Sequence, residues 1–259
     1  MVNTLKCSVA MKAFFCVALL LLTSCHADDD IWWAEFHVAH PSIEDHSGSF
    51  VVEVHPEWGP LAAQRFKLLI NRGFYDECRF YRVIEDFIAQ FGVNGDPDIQ
   101  SLWTTNGFDD EEFVMGNRIG TLGYARAKHP GSRTTQVFIN LQDNEVLDMK
   151  KMPAFAVVVK GWEEVEKLYS GYGESYPDGE GPFQHHIREE GNVYLEENYP
   201  LLSYITHAEI VDEPQDREYH FQFAPDQGLE DEDSDYDMDY EDASEFSSEE
   251  PEGSSHEEL

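Results

Sequence analysis

The chain has 259 residues, and 52 Asp and Glu against 17 Lys and Arg give it a formal charge of −35. That balance argues against nucleic acid or an anionic membrane surface as a partner. With both ends set aside, roughly 180 residues remain, enough for one domain with a substantial core.

Residues 1–27 have the pattern of a secretory signal. Lys6 and Lys12 precede the apolar run Ala13 to Leu22, which is short for a membrane span. Cys25-His26-Ala27 offers small residues for cleavage ahead of Asp28-Asp29-Asp30. The rival reading is a lipoprotein signal, because Leu22-Thr23-Ser24-Cys25 also fits that cleavage pattern. Cleavage after Ala27 would remove Cys7, Cys16 and Cys25. Cys78 would remain as a small core residue with no internal disulfide partner. No Asn-x-Ser/Thr sequon occurs.

A first strand is predicted from Ile31 to Ala39 and a second from Gly48 to His55, with a polar turn from Ser42 to Ser49 between them. Gly59-Pro60 starts a helix whose buried side is predicted to hold Leu61, Phe66, Leu69 and Ile70, and Gly73 ends it. Two short strands follow within Phe80 to Gln90, turning at Glu85-Asp86. The stretch from Gly92 to Asn106 reads as a long polar loop. In Asp109-Asp110-Glu111-Glu112 consecutive acids diverge, so a solvated loop is expected there and no metal cage. Further strands are predicted at Gly120 to Ala125, Gln136 to Leu141, Phe155 to Val159 and Tyr204 to Val211. Trp162 to Tyr169 has helical spacing, and Tyr172 to Glu190 reads as an extended loop. His185-His186 in that loop are expected at the surface. The domain is placed at 28–212. From Asp226 onward there are sixteen acids and no Lys or Arg, so 213–259 is expected to be a disordered acidic tail. It ends in His256-Glu257-Glu258-Leu259, similar to an endoplasmic-reticulum retrieval signal.

Arg82 stands out within its strand. Taken alone, it reads as a side chain with its stem on apolar surface and its head in water. Three separated blocks change that reading. Phe80, Arg82, Val83, Ile84, Phe87 and Gln90 keep the spacing Phe-x-Arg-Val-Ile-x-x-Phe-x-x-Gln. Gln136, Phe138 and Ile139 form a second block. Asp143-Asn144, Leu147-Asp148, Phe155 and Gly161, running into Tyr169-Ser170-Gly171-Tyr172-Gly173-Glu174, form a third. Together, over roughly Trp33 to Asp212, they resemble the cyclophilin family of peptidyl-prolyl isomerases.

The resemblance implies a mostly β fold: a closed eight-stranded antiparallel barrel capped by two helices. It implies prolyl isomerisation in secretory protein folding, with Arg82 as the catalytic residue and no cofactor or metal. Phe87, Ile88, Phe138 and Leu147 would form the proline slot, with Ile88 replacing the usual methionine. Gln90 and Gln136 would orient the arginine and the substrate carbonyl, and Ala125 and Arg126 would supply the peptide-binding edge. Four positions depart from the family: Tyr81 for histidine, Arg126 for asparagine, Val146 for tryptophan and Lys151 for histidine. The third implies weak cyclosporin binding. The expected partners are proline-containing polypeptides, met by a monomer in the endoplasmic-reticulum lumen, with weak calcium binding by the tail. A low-turnover binding module or chaperone with a calcium-binding tail is the alternative function. A secreted or lipid-anchored protein is the alternative location.

Overall fold

A computed structural model describes residues 30–44, 46–127 and 129–221. The predicted signal at 1–27, the acidic run from Asp226 and the closing His-Glu-Glu-Leu lie outside the described residues. No helix among the described residues is long and apolar enough to cross a membrane.

Eight strands form one antiparallel sheet: β1 Trp32–Ala39, β2 Ser47–Val54, β3 Arg82–Ile84, β4 Ile88–Phe91, β5 Thr121–Tyr124, β6 Val137–Asn140, β7 Ala154–Lys160 and β8 Tyr204–Val211. Their order is β3-β4-β6-β5-β7-β2-β1-β8. All eight strands lie where the alternation and turn residues predict them. In β1, Trp32, Ala34, Phe36 and Val38 are buried while the residues between them are half-buried, as period-two side-chain geometry requires. Phe36 faces Phe50 across the β1–β2 ladder, with ring centroids 5.3 Å apart. Phe66, Tyr75 and Phe91 also pack on Phe36. The sheet curls around this aromatic core. Backbone bonds join the segment before β3 to β8: Glu77 N–H to the Ile205 carbonyl at 2.7 Å, Phe80 N–H to Ser203 at 2.9 Å, and Ile205 N–H to Cys78 at 3.0 Å. Cys78 is fully buried in the core.

Helix α1, Pro60–Asn71, buries Ala62, Ala63, Phe66, Leu69 and Ile70. Leu61 is 39% exposed and does not belong to that face. At about 100° per residue it lies about 140° around the helix from Phe66. No residue beside the helix caps it. Glu111 does so from the acidic run instead, accepting from Leu61 N–H at 2.5 Å and Ala62 N–H at 3.1 Å. The acidic run is therefore not wholly solvated: the Glu111 side chain is 5% exposed and pairs with the buried Arg133.

The expectation of two helices undercounts. Within the predicted 92–106 loop, α2 runs Pro97–Thr104. Asp96 caps it by accepting from Asp98 and Ile99 N–H, and Pro97 occupies the first turn. Helix α3, Glu145–Met149, is one short turn. Helix α4 spans Trp162–Val165 and stops well before Tyr169, because the Leu168 N–H bonds back to Val165, three residues away, at 3.2 Å. The predicted 172–190 loop contains α5, Gln184–Glu190, and α6 follows at Asn192–Asn198. Each buries one apolar residue, Ile187 and Leu195, in a small cluster with Tyr81, Val93 and Leu202. His185 is exposed and His186 half-buried, and they pair with Glu189 and Glu190 one turn on.

The chain does not leave the domain at Asp212. Arg217 and Tyr219 both reach Glu53, the Glu218 N–H bonds the Val159 carbonyl at 2.8 Å, and Tyr219 and Phe221 pack beside Trp33 and Val51. Aromatic side chains with a sheet face to cover keep 213–221 on the domain despite the acidic surroundings.

Candidate active site

The β3–turn–β4 hairpin positions the arginine. Arg82 pairs with Gln90, and Ile84 with Ile88. Asp86 takes a positive φ of 56° in the turn, and the Phe87 N–H bonds the Ile84 carbonyl at 3.1 Å. The Phe87 carbonyl then accepts from Leu141 N–H at 2.9 Å and from the Asn144 side chain at 2.8 Å. These bonds tie the hairpin to the β6–α3 connection.

Strand period decides what faces where. Val83, Ala89, Phe91, Val137 and Ile139 point into the aromatic core. Arg82, Ile88, Gln90 and Phe138 alternate with them and face the other side of the sheet. Gln90 lies opposite Phe138, which lies opposite Gly123, so three strands align one residue each. A side chain at Gly123 could not coexist with this arrangement: a Cβ there would come within 2.5 Å of the Phe138 ring. Ile88, Phe138 and Leu147 form a separate buried apolar cluster, with Phe87, Ala125 and Met152 packed around it. The hairpin, β6 and α3 thus bring together all four residues expected to line an apolar slot. Met152 was not among them.

Polar residues form a chain beside the slot. Arg82 Nη1 donates to Gln90 Oε1 at 3.2 Å. Gln90 Nε2 donates to Gln136 Oε1 at 2.9 Å, and that oxygen also accepts from the Tyr81 hydroxyl at 2.5 Å. Gln136 Nε2 reaches Gln184 at 3.5 Å. The Arg82 guanidinium lies 5.6 Å from the Phe87 ring centroid. Ala125 N–H bonds the Gln136 carbonyl at 3.0 Å, while the Arg126 side chain turns to Asp110 at 3.0 Å.

The main partner of Arg82 is Glu174. Nε donates to Glu174 Oε1 and Nη2 to Oε2, a two-point fork. Oε1 also accepts from Ser175 N–H at 2.8 Å. Burial alone would raise the Glu174 carboxyl. The Arg82 bonds and charge, with the Ser175 amide, outweigh it and hold the group below the ordinary carboxylate range. The third sequence block contains Glu174, but its position 92 residues beyond Arg82 gives no sign of the pairing.

An arginine in such a frame can offer hydrogen bonds to a group at the slot without moving. Its side chain is 17% exposed, and among the described residues two of its five N–H hydrogens have no acceptor. The arrangement holds no nucleophile–base pair. Its chemistry is electrostatic.

Residues 40–188 match the family model for the cyclophilin type peptidyl-prolyl cis-trans isomerase. A peptidyl-prolyl cis-trans isomerase of Acinetobacter baylyi is 31% identical over 126 residues, which are 47% of this chain and 66% of that protein. Peptidyl-prolyl cis-trans isomerase B of Escherichia coli is 30% identical over 141 residues, 51% of this chain and 81% of that one. In fold, the chain is similar to the crystal structure of a Cryptosporidium parvum cyclophilin-type peptidyl-prolyl cis-trans isomerase. The TM-score is 0.51 at 20% identity, covering 71% of this chain and all of that one.

Proposed function

This chain belongs to the cyclophilin-type peptidyl-prolyl cis-trans isomerase family and is an isomerase of proline-containing peptides, and we propose that Arg82 carries its chemistry. Resonance gives the peptide bond a rotational barrier of about 18–20 kcal/mol. Uncatalysed prolyl exchange takes about 10–100 s. Reaching milliseconds requires about 10⁴- to 10⁵-fold acceleration, or about 5.5–7 kcal/mol off the barrier.

That energy comes from holding the twisted amide better than the planar one. In the twisted state the prolyl nitrogen becomes pyramidal and regains a lone pair. A fixed guanidinium donates to that lone pair, and in the planar state resonance withdraws it. Phe87, Ile88, Phe138 and Leu147, with Ala125 and Met152 at the border, take the proline ring. Gln90 and Gln136 orient the arginine and the carbonyl before the proline. The backbone at Ala125 and Arg126 lays out the peptide. Glu174 is a positioning residue, fixing the plane in which Arg82 donates. The observation that carries this reading is the framed guanidinium beside a separate apolar cluster.

Closure of the curled sheet into a barrel is part of the same reading, supported by the backbone bonds between 77–80 and β8. So is residence in the endoplasmic-reticulum lumen, with secretory proteins as substrates, supported by the charged-then-apolar start and the His-Glu-Glu-Leu motif. The test of the chemistry is a protease-coupled isomerisation assay on the full chain. Arg82→Ala should lose most turnover with the fold intact. Turnover at the wild-type rate in that variant would overturn the assignment.

A further inference from the structure

We propose that His40, His46 and Glu164 form a binding site for one zinc-class divalent cation, joining the β1–β2 loop to α4. None of the three belongs to the Arg82 site. One ligand atom from each converges, all within 4.8 Å of one another. His46 Nε2 lies 2.8 Å from Glu164 Oε2, and His40 Nε2 lies 3.4 Å from the same oxygen.

The decisive atom is His40 Nε2. His40 is 1% exposed, and this nitrogen has no hydrogen-bond partner. The other ring nitrogen, Nδ1, is 3.1 Å from the Ser203 hydroxyl, which also receives Tyr169 N–H at 3.1 Å. With Nδ1–H donating to Ser203, Nε2 presents a lone pair toward a carboxylate oxygen. In that tautomer two buried lone pairs face each other, and a cation between them relieves the conflict. The same arrangement suits a metal ligand, whose second ring nitrogen is ordinarily fixed by a hydrogen bond of this kind.

The spacing fits such an ion. Around zinc, bonds of about 2.0–2.2 Å in tetrahedral directions put neighbouring ligand atoms about 3.3 Å apart. The His40–Glu164 separation already matches. The His46 side chain is 29% exposed, so its ring has room to open by the half ångström needed. Two imidazole nitrogens with one carboxylate favour zinc and its first-row neighbours over calcium or magnesium, which prefer oxygen. Water would complete the coordination.

The surroundings hold the ligands in place. The His40 N–H bonds the His46 carbonyl at 3.1 Å, and Ile43 bonds both, fixing the loop that carries the two histidines. Lys167 binds Glu164 through its other oxygen, Oε1, at 2.7 Å, leaving Oε2 to the histidines. Residue 48 must be glycine for the carboxylate to lie where it does, since a Cβ there would overlap the Glu164 head group.

The test uses the full chain, stripped with a chelator and titrated with Co²⁺ and then Zn²⁺. The expected result is one equivalent of Co²⁺ giving the strong visible band of a four-coordinate nitrogen–oxygen site, displaced by Zn²⁺. Oxygen-only sites in the acidic tail would give the weak spectrum of six-coordinate cobalt. His46→Ala should abolish the band and weaken Zn²⁺ binding at this site by tenfold or more. His46→Gln provides a second variant of the same loop position, with the same expectation. Deleting Asp226 to Gly253 should leave the band in place, and Zn²⁺ should raise the Tm of the wild type but not of the His46 variants. A wild-type spectrum showing only six-coordinate cobalt, or a band that survives in both His46 variants, would overturn the proposal.

Discussion

Glu53 and Glu174 each bind an arginine, and they use it in opposite ways. Glu53 is the centre of its cluster. Its oxygens accept from Trp33 at 3.0 Å, His55 at 2.9 Å, Arg217 at 2.6 Å and Tyr219 at 2.7 Å, and its side chain is 2% exposed. At Glu174 the centre is the arginine. Glu174 and Gln90 occupy three of the Arg82 N–H groups and leave two without an acceptor among the described residues. A saturated acceptor is a structural joint. A donor held rigid with hydrogens to spare has capacity for a ligand. Both are arginine–carboxylate pairs, so the presence of an ion pair alone does not tell them apart. The count of unfilled bonds does.

The sharpest test of this contrast is a pair of substitutions. Arg82→Ala should lower kcat/KM by about 10²- to 10³-fold, the scale for removing one preorganised donor, with little change in Tm. Glu53→Ala should reverse the pattern. Removing this buried acceptor costs about 1–3 kcal/mol for each internal hydrogen bond lost, while activity per folded molecule stays near wild type. Thermal melts alongside the coupled assay check both. If Glu53→Ala lost turnover at unchanged stability, the two clusters would not be functionally distinct.

The Glu53 joint also has a pH signature. Burial pushes its carboxyl up. Bonds from His55, Tyr219, Arg217 and Trp33 outweigh that and bring it down to about 2. A carboxyl depressed by folding adds stability above its unfolded value, and that stability fades as pH falls through the folded value. From about 4.5 to about 2, the contribution is about 3 kcal/mol. Denaturant unfolding of wild type and Glu53→Gln should therefore differ by about that amount at pH 7 and converge as pH nears 2. A gap that stays constant with pH would assign the effect to packing.

Much of this was legible in the sequence, but not the joints. Strand alternation and turn residues place all eight strands, and the spacing of Arg82, Phe87, Ile88 and Gln90 already puts a hairpin's outer face to use. Short helices were harder. Asp96-Pro97 is a start signal embedded in a polar stretch, and Ile187 and Leu195 are single buried residues that create no periodicity. Glu174, Glu53 with Arg217, and Glu164 with His40 and His46 all join segments far apart in the chain. Taken singly, each of these polar side chains looks like surface. Only strand order and register bring them together. Tyr219 and Phe221 were hidden for a related reason: local acidity masked aromatic residues that a sheet face recruits.

A smaller effect separates holding Arg82 from being Arg82. Glu174→Gln keeps an acceptor for Nε but loses the charge and half of the fork, so kcat should fall by about tenfold, about 1.4 kcal/mol, with KM little changed. Glu174→Ala should fall further, and Glu174→Asp, with a shorter reach, should lie between wild type and Ala. Steady-state kinetics on the three variants decide this. Equal, wild-type kcat in all three would mean that Gln90 alone suffices to aim the guanidinium.

The smallest expected change concerns Val146, the chain neighbour of the slot residue Leu147. It precedes the buried Leu147 on α3 and is 37% exposed, so a larger ring fits there without displacing the core. The resemblance places a tryptophan at this position, and cyclosporin binding in the family leans on it. Valine offers neither the indole area nor the N–H donor. Val146→Trp should tighten cyclosporin by severalfold, about 0.5–1.5 kcal/mol, the range for one added aromatic contact. Turnover of a small Xaa-Pro peptide should change less, since the slot proposed for the proline ring is built on Phe138 and Leu147. Calorimetry on both proteins measures the first and the coupled assay the second. Tight binding by the unmodified chain would place the drug's contacts in the apolar slot itself and not at residue 146.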